Sequence, residues 1–165
     1  MNTLQKQILY IEDHEDTREL VTLLLADSNY RVTPTSSSKE ALKLAHHQLF
    51  DLYLLDAWLP EGSGIELCKQ LREFDQETPV MFLSAAAYET DKQAAMDSGA
   101  QRYLVKPDDL QRLRVEIDAL ILGFAKEKAQ AVGSTSTRSL ERLSTDEPTR
   151  KTTVHSIAAK GFLAP

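Results

Sequence analysis

Two short apolar runs in this sequence each end in acidic side chains. Glu12 and Asp13 come directly after residues 8–11, and Asp56 comes directly after residues 52–55. A short continuous apolar run bounded by turn signals is typical of a strand that is buried on both faces of a parallel sheet. Ligands of open parallel sheets bind in the crevice outside the carboxyl ends of the strands, so these acids are predicted to line such a crevice.

Two further predicted strands are followed by side chains that could bind an anion. Ser84 follows residues 80–83, and Lys106 follows residues 102–105. Clustered carboxylates suit Mg²⁺, a hard cation that often shares its coordination with a phosphate. A carboxylate such as Asp56 can attack phosphorus and form an aspartyl phosphate, and a lysine with a hydroxyl can bond the phosphoryl oxygens. The set therefore predicts phosphoryl transfer to a carboxylate.

Each of these residues also has an ordinary structural explanation when it is taken alone. Asp56 could be a loop or helix-capping acid, and Glu12 with Asp13 could interact with the positive end of a helix dipole. Lys106 could be a solvated surface charge, and Ser84 could bond backbone at the end of a strand. The chemical interpretation depends on all of them meeting at one edge of one sheet.

The elements that would position these residues alternate regularly along the chain. Strands are predicted at residues 8–11, 30–33, 51–55, 80–83 and 102–105, and helices at residues 15–27, 37–47, 63–73, 90–99 and 108–128. The spacing of a helix-capping pair occurs at Ser37 with Glu40, Ser63 with Glu66 and Thr90 with Gln93. Five strands alternating with five helices indicate an α/β fold, in which helices cover both faces of a parallel sheet.

Length, charge and cysteine content limit the class of protein. A chain of 165 residues with 42% hydrophobic and 27% charged residues is typical of one globular domain with an appendage. The net charge of −6 argues against a broad nucleic-acid-binding surface. The single cysteine, Cys68, allows no internal disulfide and is expected in the core. No apolar run reaches the roughly 18 residues of a membrane span, and the polar start lacks a signal peptide's apolar core, so we expect a cytoplasmic protein.

The composition changes after residue 128. Residues 129–165 contain eleven Ser or Thr but only seven of Leu, Ile, Val and Phe, and five basic with three acidic residues give a local charge of +2. Burial of so few apolar groups cannot offset the conformational entropy that this segment would lose on folding. We therefore predict a folded domain over residues 1–128 and a flexible polar C-terminal tail over residues 129–165.

The ordered set of motifs resembles the receiver domain of bacterial two-component response regulators, in particular the single-domain, chemotaxis-regulator-like members. The resemblance covers roughly residues 6–125. It rests on Glu12 and Asp13, Asp56 with Leu59, Pro60 and Gly64, Ser84 with Ala85, Gly99 with Ala100, and residues 103–107. It implies a flavodoxin-like, doubly wound five-stranded parallel sheet with strand order 2-1-3-4-5 and five helices.

Carried over residue by residue, the resemblance implies a phosphoacceptor and a cofactor. Asp56 would take a phosphoryl group from a histidine kinase or a histidine phosphotransfer protein. The cofactor would be Mg²⁺, held by Asp13, Asp56 and the backbone carbonyl of Trp58, with Glu12 helping through water.

The resemblance also implies how the signal would leave the site. Ser84 and Lys106 would bind the phosphoryl oxygens, and Ser84 with Tyr103 would form the switch, the tyrosine changing rotamer on activation. The downstream protein target would bind the surface of the fourth helix, the fifth strand and the fifth helix. We expect a monomer or weak dimer.

Three alternatives remain open from the sequence. The chain could be the receiver module of a larger hybrid kinase, or a phosphorylation-independent scaffold, although a scaffold should have lost Asp56 or Lys106. A phosphatase or phosphotransferase with an aspartyl-phosphate intermediate usually carries a second acid two residues after its nucleophile, where this chain has Trp58. We therefore expect no enzymatic activity beyond its own phosphorylation and dephosphorylation, and protein partners rather than nucleic acid or membrane.

Overall fold

Five parallel strands form the central sheet of the protein. The structure is a computed structural model that describes residues 5–26 and 29–141. The strands in these residues are β1 (Lys6–Ile11), β2 (Tyr30–Thr35), β3 (Leu52–Leu55), β4 (Trp58–Leu59), β5 (Gly62–Ser63), β6 (Val80–Ser84) and β7 (Arg102–Val105). The sheet has the order β2-β1-β3-β6-β7, and β4 pairs with β5 in a separate antiparallel hairpin. Because β6 and β7 are the fourth and fifth strands of the sheet, the predicted order 2-1-3-4-5 is confirmed.

Helices cover both faces of this sheet. They are α1 (Glu15–Ala26), α2 (Ser38–His47), α3 (Gly64–Phe74), α4 (Glu89–Asp97) and α5 (Leu113–Glu141), with a 3-10 turn at Leu110–Arg112 before α5. One core joins α1 and α5 to Ile8 and Tyr10 of β1, and the other joins α2, α3 and α4 to Leu9 and Ile11. Successive side chains of a strand point to opposite faces, so one strand supplies both cores. The flavodoxin-like α/β class is confirmed.

The strands of the sheet start and end together, which defines two edges. The edge where they end, after residues such as Ile11 and Leu55, is the carboxyl edge, and the edge where they begin is the amino edge. β3 and β6 are buried along their whole length because helices lie on both sides of them. This burial explains the uninterrupted apolar runs that precede Asp56 and Ser84. Cys68 of α3 is free and buried, as predicted.

Two of the three predicted capping pairs begin a helix. The side chains of Ser37 and Ser63 each accept a hydrogen bond from the backbone N–H three residues later, and α2 and α3 begin directly after them. The prediction for Thr90 is wrong. α4 begins at Glu89, and its N-cap residue Tyr88 makes no side-chain cap bond. Acidic residues in its first turn suit the positive end of the helix dipole instead.

The last helix begins and ends later than predicted. Its predicted range is 108–128, but Asp109 accepts a hydrogen bond from the backbone N–H of Val105 at 2.9 Å and the 3-10 turn comes first. α5 then continues to Glu141, so residues 129–141 are helical although their composition indicated a tail. Alanine at residues 125, 129 and 131 favours the helix as far as residue 131, whereas Gly133 and the serines and threonines at residues 134–137 do not favour its continuation. Residues 142–165 of the predicted tail lie outside the described residues.

The chain divides into two units, Met1–Ala129 and Gln130–Pro165, and the sheet lies in the first. Every acid, hydroxyl and lysine predicted to do chemistry belongs to this first unit. Within residues 5–26 and 29–141, no helix combines the length and the apolarity that a membrane span needs.

Candidate functional site

The residues predicted to do chemistry meet at the carboxyl edge of the sheet. Glu12 and Asp13 follow β1, Asp56 follows β3, Ser84 ends β6 and Lys106 follows β7. All of them line one cleft of about 660 Å³. The parallel topology therefore brings together side chains from four distant parts of the sequence.

The Asp56 carboxylate is buried and bonded at both oxygens. Asp56 is only 6% exposed. Ser84 donates its hydroxyl to Oδ1 at 2.5 Å, and the backbone N–H of Trp58 reaches the same oxygen at 3.3 Å. Lys106 donates from Nζ to Oδ2 at 2.9 Å. A hydroxyl and an ammonium beside one carboxylate are groups that could bind the oxygens of a phosphoryl group attached to it.

Lys106 bridges two acids of the cleft. Its Nζ lies 2.9 Å from Asp56 Oδ2 and 2.5 Å from Glu12 Oε2. Burial acts to lower the pKa of Lys106, but the hydrogen bonds and charges of Glu12 and Asp56 outweigh it, and the pKa is raised. The two carboxylates therefore keep this lysine in its ammonium form.

Glu12 is the most buried of the three acids in the cleft. Burial raises its pKa above the ordinary value, and the charge of Asp56 acts in the same direction, against the lowering effect of the hydrogen bond from Lys106. The backbone N–H of His14 donates to Oε1 at 3.3 Å, and the hydroxyl of Tyr10 donates to Oε2 at 3.2 Å. The surroundings of Glu12 thus disfavour its ionised form, and Lys106 compensates only in part.

Three acids of the cleft are close enough together to hold a metal ion. One carboxylate oxygen from each of Glu12, Asp13 and Asp56 lies within 4.8 Å of the other two, and Asp13 is the exposed member. Oxygen donors of this kind suit Mg²⁺, which usually keeps several waters. The residues present therefore fit the predicted cofactor. Trp58 lines the same cleft, and the part of its carbonyl in binding the ion stays a prediction.

A chain of hydrogen bonds connects the Asp56 carboxylate with Tyr103. Ser84, which bonds Asp56, accepts a hydrogen bond at Oγ from the backbone N–H of Ala86 at 3.3 Å. The hydroxyl of Tyr103 donates to the carbonyl of Ala86 at 2.8 Å. Its ring stacks on Phe82 with the centroids 5.8 Å apart. The two predicted switch residues are thus linked through a single alanine, and their switching role stays a prediction.

The turn after Asp56 fixes the backbone of this residue. Gly64 begins α3, and a Cβ at this position would lie 1.9 Å from the carbonyl oxygen of Asp56. No side chain can approach an oxygen so closely, so only glycine fits here. The N–H of Gly64 also donates to the carbonyl of Ala57 at 2.9 Å. The β4–β5 hairpin that precedes Gly64 was not predicted, because two residues per strand are too few to show a period.

Two residues of the site were not predicted. Tyr10 counted only as part of an apolar strand, although it lies two residues before Glu12 and therefore on the same face of that strand. Arg18 of α1 donates to the backbone carbonyls of Glu12 at 2.9 Å and Asp13 at 3.1 Å. The spacing of Tyr10 could have revealed it, whereas a surface-facing helical arginine has no comparable signal.

Comparison with known proteins decides the family. A family model described as the response regulator receiver domain matches residues 8–118. The chain belongs to this receiver domain family. Response regulator ArlR of Staphylococcus saprophyticus subsp. saprophyticus is 36% identical to the chain over 115 residues, which are 70% of this chain and 52% of that relative. Response regulator ArlR of Staphylococcus aureus is 35% identical over 115 residues. The chain spans about half the length of these curated relatives.

Solved structures have the fold of this receiver domain. The crystal structure of a two-component response regulator from Clostridium difficile has 25% identity and a TM-score of 0.67, covering 71% of this chain and 96% of that one. A CheY-like receiver domain protein from Methanospirillum hungatei has 23% identity and a TM-score of 0.70, covering 74% and 98%. The second likeness concerns the fold alone. The resemblance to response regulator receivers inferred from the sequence is confirmed.

Proposed function

We propose that the receiver domain accepts a phosphoryl group on Asp56 from a histidine kinase or a histidine phosphotransfer protein, and that the phosphorylated form signals by binding a partner protein. One observation carries the proposal. The Asp56 carboxylate lies between the hydroxyl of Ser84 and the ammonium of Lys106, beside the acids Glu12 and Asp13. This arrangement combines a nucleophile, two groups for phosphoryl oxygens and a metal site.

The proposed step exchanges one bond at phosphorus for another. A carboxylate oxygen of Asp56 bonds to phosphorus while the bond between phosphorus and the donor breaks. With acetyl phosphate as donor, acetate leaves with the electron pair of the broken bond, so the transfer requires no proton. Lys106 and Ser84 would then bond the transferred oxygens, which is most of what catalysis of phosphoryl transfer demands.

The acids of the cleft would hold Mg²⁺ for this step. Asp13, Asp56 and the carbonyl of Trp58 would bind the ion, with Glu12 helping through water. Carboxylates packed together repel one another, and a bound cation relieves that repulsion. The chemistry that the ion supplies is charge neutralisation between the anionic acceptor and the anionic donor.

The proposed output uses the hydrogen-bond chain from Ser84 to Tyr103. A new bond from Ser84 to the phosphoryl group would shift the loop that carries Ala86, to which the Tyr103 hydroxyl is bonded at 2.8 Å. Tyr103 would then change rotamer, and the surface of α4, β7 and α5 would change for a protein target. Amide chemical-shift changes on adding a phosphoryl mimic should concentrate on these elements.

The chain is proposed to catalyse only its own phosphorylation and dephosphorylation, in the cytoplasm. Trp58 stands where a hydrolytic or transferring enzyme with an aspartyl-phosphate intermediate usually has an acid, and an indole cannot transfer a proton in that role. A receiver module of a hybrid kinase would use the same cleft in the same way. A phosphorylation-independent scaffold would not need the retained Asp56 and Lys106.

Intact-mass measurement tests the acceptor. After incubation with acetyl phosphate and Mg²⁺, the parent chain should gain one phosphoryl group, Asp56→Asn should gain none, and EDTA should suppress the gain. Asp56→Asn keeps the shape of the side chain but removes the nucleophilic charge. Asp108→Asn is the matched control, because Asp108 is an exposed acid two residues after Lys106.

Two results would contradict the proposal. Undiminished labelling of Asp56→Asn would place the phosphoryl group on another residue. A parent chain that no small donor labels, and that also takes nothing from a phosphohistidine protein, would favour the scaffold instead.

A further inference from the structure

Tyr10 lies directly beneath the acid cluster. It is fully buried in the core beside α1 and α5. Its hydroxyl donates to Oε2 of Glu12 at 3.2 Å, and Lys106 donates to the same oxygen at 2.5 Å. Glu12 itself is only 1% exposed. One buried carboxylate oxygen is thus shared by a tyrosine hydroxyl and by the lysine of the site.

We propose that Tyr10 is a positioning residue for phosphoryl transfer, whose hydroxyl keeps Glu12 bonded when Lys106 turns to the phosphoryl group. The inference rests on the proposed function of Asp56 and adds a residue to it. Tyr10 acts through Glu12 and touches neither the donor nor the acceptor oxygen.

Lys106 has two positions to occupy during the reaction. In the structure its ammonium is bonded to both Glu12 and Asp56. The oxygens of a phosphoryl group on Asp56 would lie farther out than the carboxylate itself, so we expect Lys106 to move toward them and to weaken its bond to Glu12. In a chain without the Tyr10 hydroxyl, breaking that bond would leave Oε2 of a buried carboxylate without a donor, and an unsatisfied buried charged group is costly. The Tyr10 hydroxyl already bonds Oε2, so it lowers the cost of moving Lys106.

The position of Tyr10 on β1 suits it to this positioning role. Tyr10 and Glu12 are two residues apart on β1, so their side chains lie on the same face of the strand. The other oxygen of Glu12, Oε1, accepts from the backbone N–H of His14 at 3.3 Å. With both oxygens bonded by groups that do not move with the lysine, the carboxylate stays oriented throughout the reaction.

Tyr53 provides a matched control inside the same chain. It is 1% exposed, and its hydroxyl donates to Oδ2 of Asp75 at 2.8 Å. This buried tyrosine–carboxylate bond lies near the amino edge, at the opposite end of the sheet from Asp56. Tyr10→Phe and Tyr53→Phe each remove one buried hydroxyl from a carboxylate, but only Tyr10→Phe alters the proposed site.

The experiment measures the initial rate of acetyl phosphate labelling against Mg²⁺ concentration for both variants. Tyr10→Phe should lower the rate at saturating Mg²⁺ by about tenfold, the usual worth of a hydrogen bond to a charged group. The Mg²⁺ concentration that gives half the maximal rate should stay within about twofold of the parent value, because no metal-binding oxygen is removed. Tyr53→Phe should label at the parent rate although it also loses thermal stability.

A double-mutant cycle with Glu12→Gln shows whether Tyr10 acts through Glu12. In the Glu12→Gln background, Tyr10→Phe should no longer change the rate, because the bond it removes has lost its charged acceptor. Additive effects, or equal rate losses in Tyr10→Phe and Tyr53→Phe, would overturn the assignment. So would a Tyr10→Phe variant that labels as fast as the parent. If the parent itself takes no label, the proposed function fails first and this inference fails with it.

Discussion

Asp75 at the amino edge and Glu12 at the carboxyl edge are both carboxylates that a tyrosine hydroxyl bonds, yet their surroundings affect ionisation in opposite directions. Burial opposes the ionisation of Asp75, but hydrogen bonds from Thr78, Tyr53 and Glu77 outweigh burial and lower its pKa. At Glu12, burial together with the charge of Asp56 prevails and raises the pKa. The hydrogen bonds at the amino edge favour the ionised form of Asp75, whereas burial and the charge of Asp56 at the carboxyl edge disfavour the ionised form of Glu12.

This difference separates a structural polar network from a functional one. At the amino edge, Arg72 donates to backbone carbonyls of Asp75 at 3.0 Å, Thr78 at 2.7 Å and Gly99 at 3.0 Å, and also to the side chain of Gln101. These bonds join the end of α3 to the residues that enter β6 and β7. At the carboxyl edge one lysine serves competing acids, so the site is short of positive charge. A site that is short of positive charge can gain from a cation.

The largest effect should come from breaking the amino-edge network. Arg72→Ala removes a partly buried cation from several carbonyl groups at once, and the free energy of unfolding should fall by about 3 kcal/mol. Urea denaturation measures this loss, and labelling of the folded variant by acetyl phosphate should persist. Arg102→Ala is the control, because Arg102 pairs with Glu116 at 3.2 Å while half exposed. It should cost under about 1 kcal/mol, and a similar loss in both variants would contradict a special role of Arg72.

A smaller effect should distinguish the two carboxylates directly. Asp75→Asn replaces a well-bonded anion, and its free energy of unfolding should fall by about 1–2 kcal/mol. Glu12→Gln removes a carboxylate that burial and Asp56 disfavour, so in EDTA its stability should equal or exceed that of the parent. Mg²⁺ should then raise the melting temperature of the parent more than that of Glu12→Gln. A Glu12→Gln chain that is destabilised in EDTA as much as Asp75→Asn would remove the contrast between the edges.

The smallest effect is the pH dependence of stability, measured in EDTA. The folded pKa of Asp75 lies below its ordinary 3.8, so the stability it contributes is present above pH 3.8 and is lost as the pH falls through the folded pKa. The folded pKa of Glu12 lies above its ordinary 4.5, so the native state keeps this proton longer and stability declines as the pH rises from 4.5 through the folded pKa. The urea midpoint should fall less steeply below pH 3.8 in Asp75→Asn than in the parent chain. Above pH 4.5 the urea midpoint should decline less steeply in Glu12→Gln than in the parent chain. Slopes equal to those of the parent would contradict the directions of the two pKa shifts.

Much of the sheet and the site could be predicted because the relevant signals are local. The central strands are buried on both faces and so appear as uninterrupted apolar runs. The runs before Asp56 and Ser84 end at the carboxyl edge, and the edge strand β7 brings Lys106 to the same place. The order of the strands followed from the family resemblance rather than from periodicity.

The features that could not be predicted depend on contacts between distant residues. The failure of Thr90 to cap α4 and the late start of α5 reflect loop geometry that hydrophobic periodicity does not encode. The length of α5 could not be predicted either, because Gly133 and the serines and threonines at residues 134–137 have low helix propensity although the helix runs through them. The sequence correctly predicts Tyr10 as a core residue, but only the fold shows that its hydroxyl bonds Glu12.

The exposed indole at the cleft makes the chain its own optical probe. Trp58 is the single tryptophan of the sequence, it is 67% exposed, and its backbone N–H is bonded to the Asp56 carboxylate at 3.3 Å. All tryptophan emission of the protein therefore comes from one position beside the acceptor, with no background from a second indole. A change of charge in the cleft should shift the emission wavelength or change the intensity of this fluorescence. Metal and phosphoryl donors can thus be titrated in real time on unlabelled protein of natural sequence.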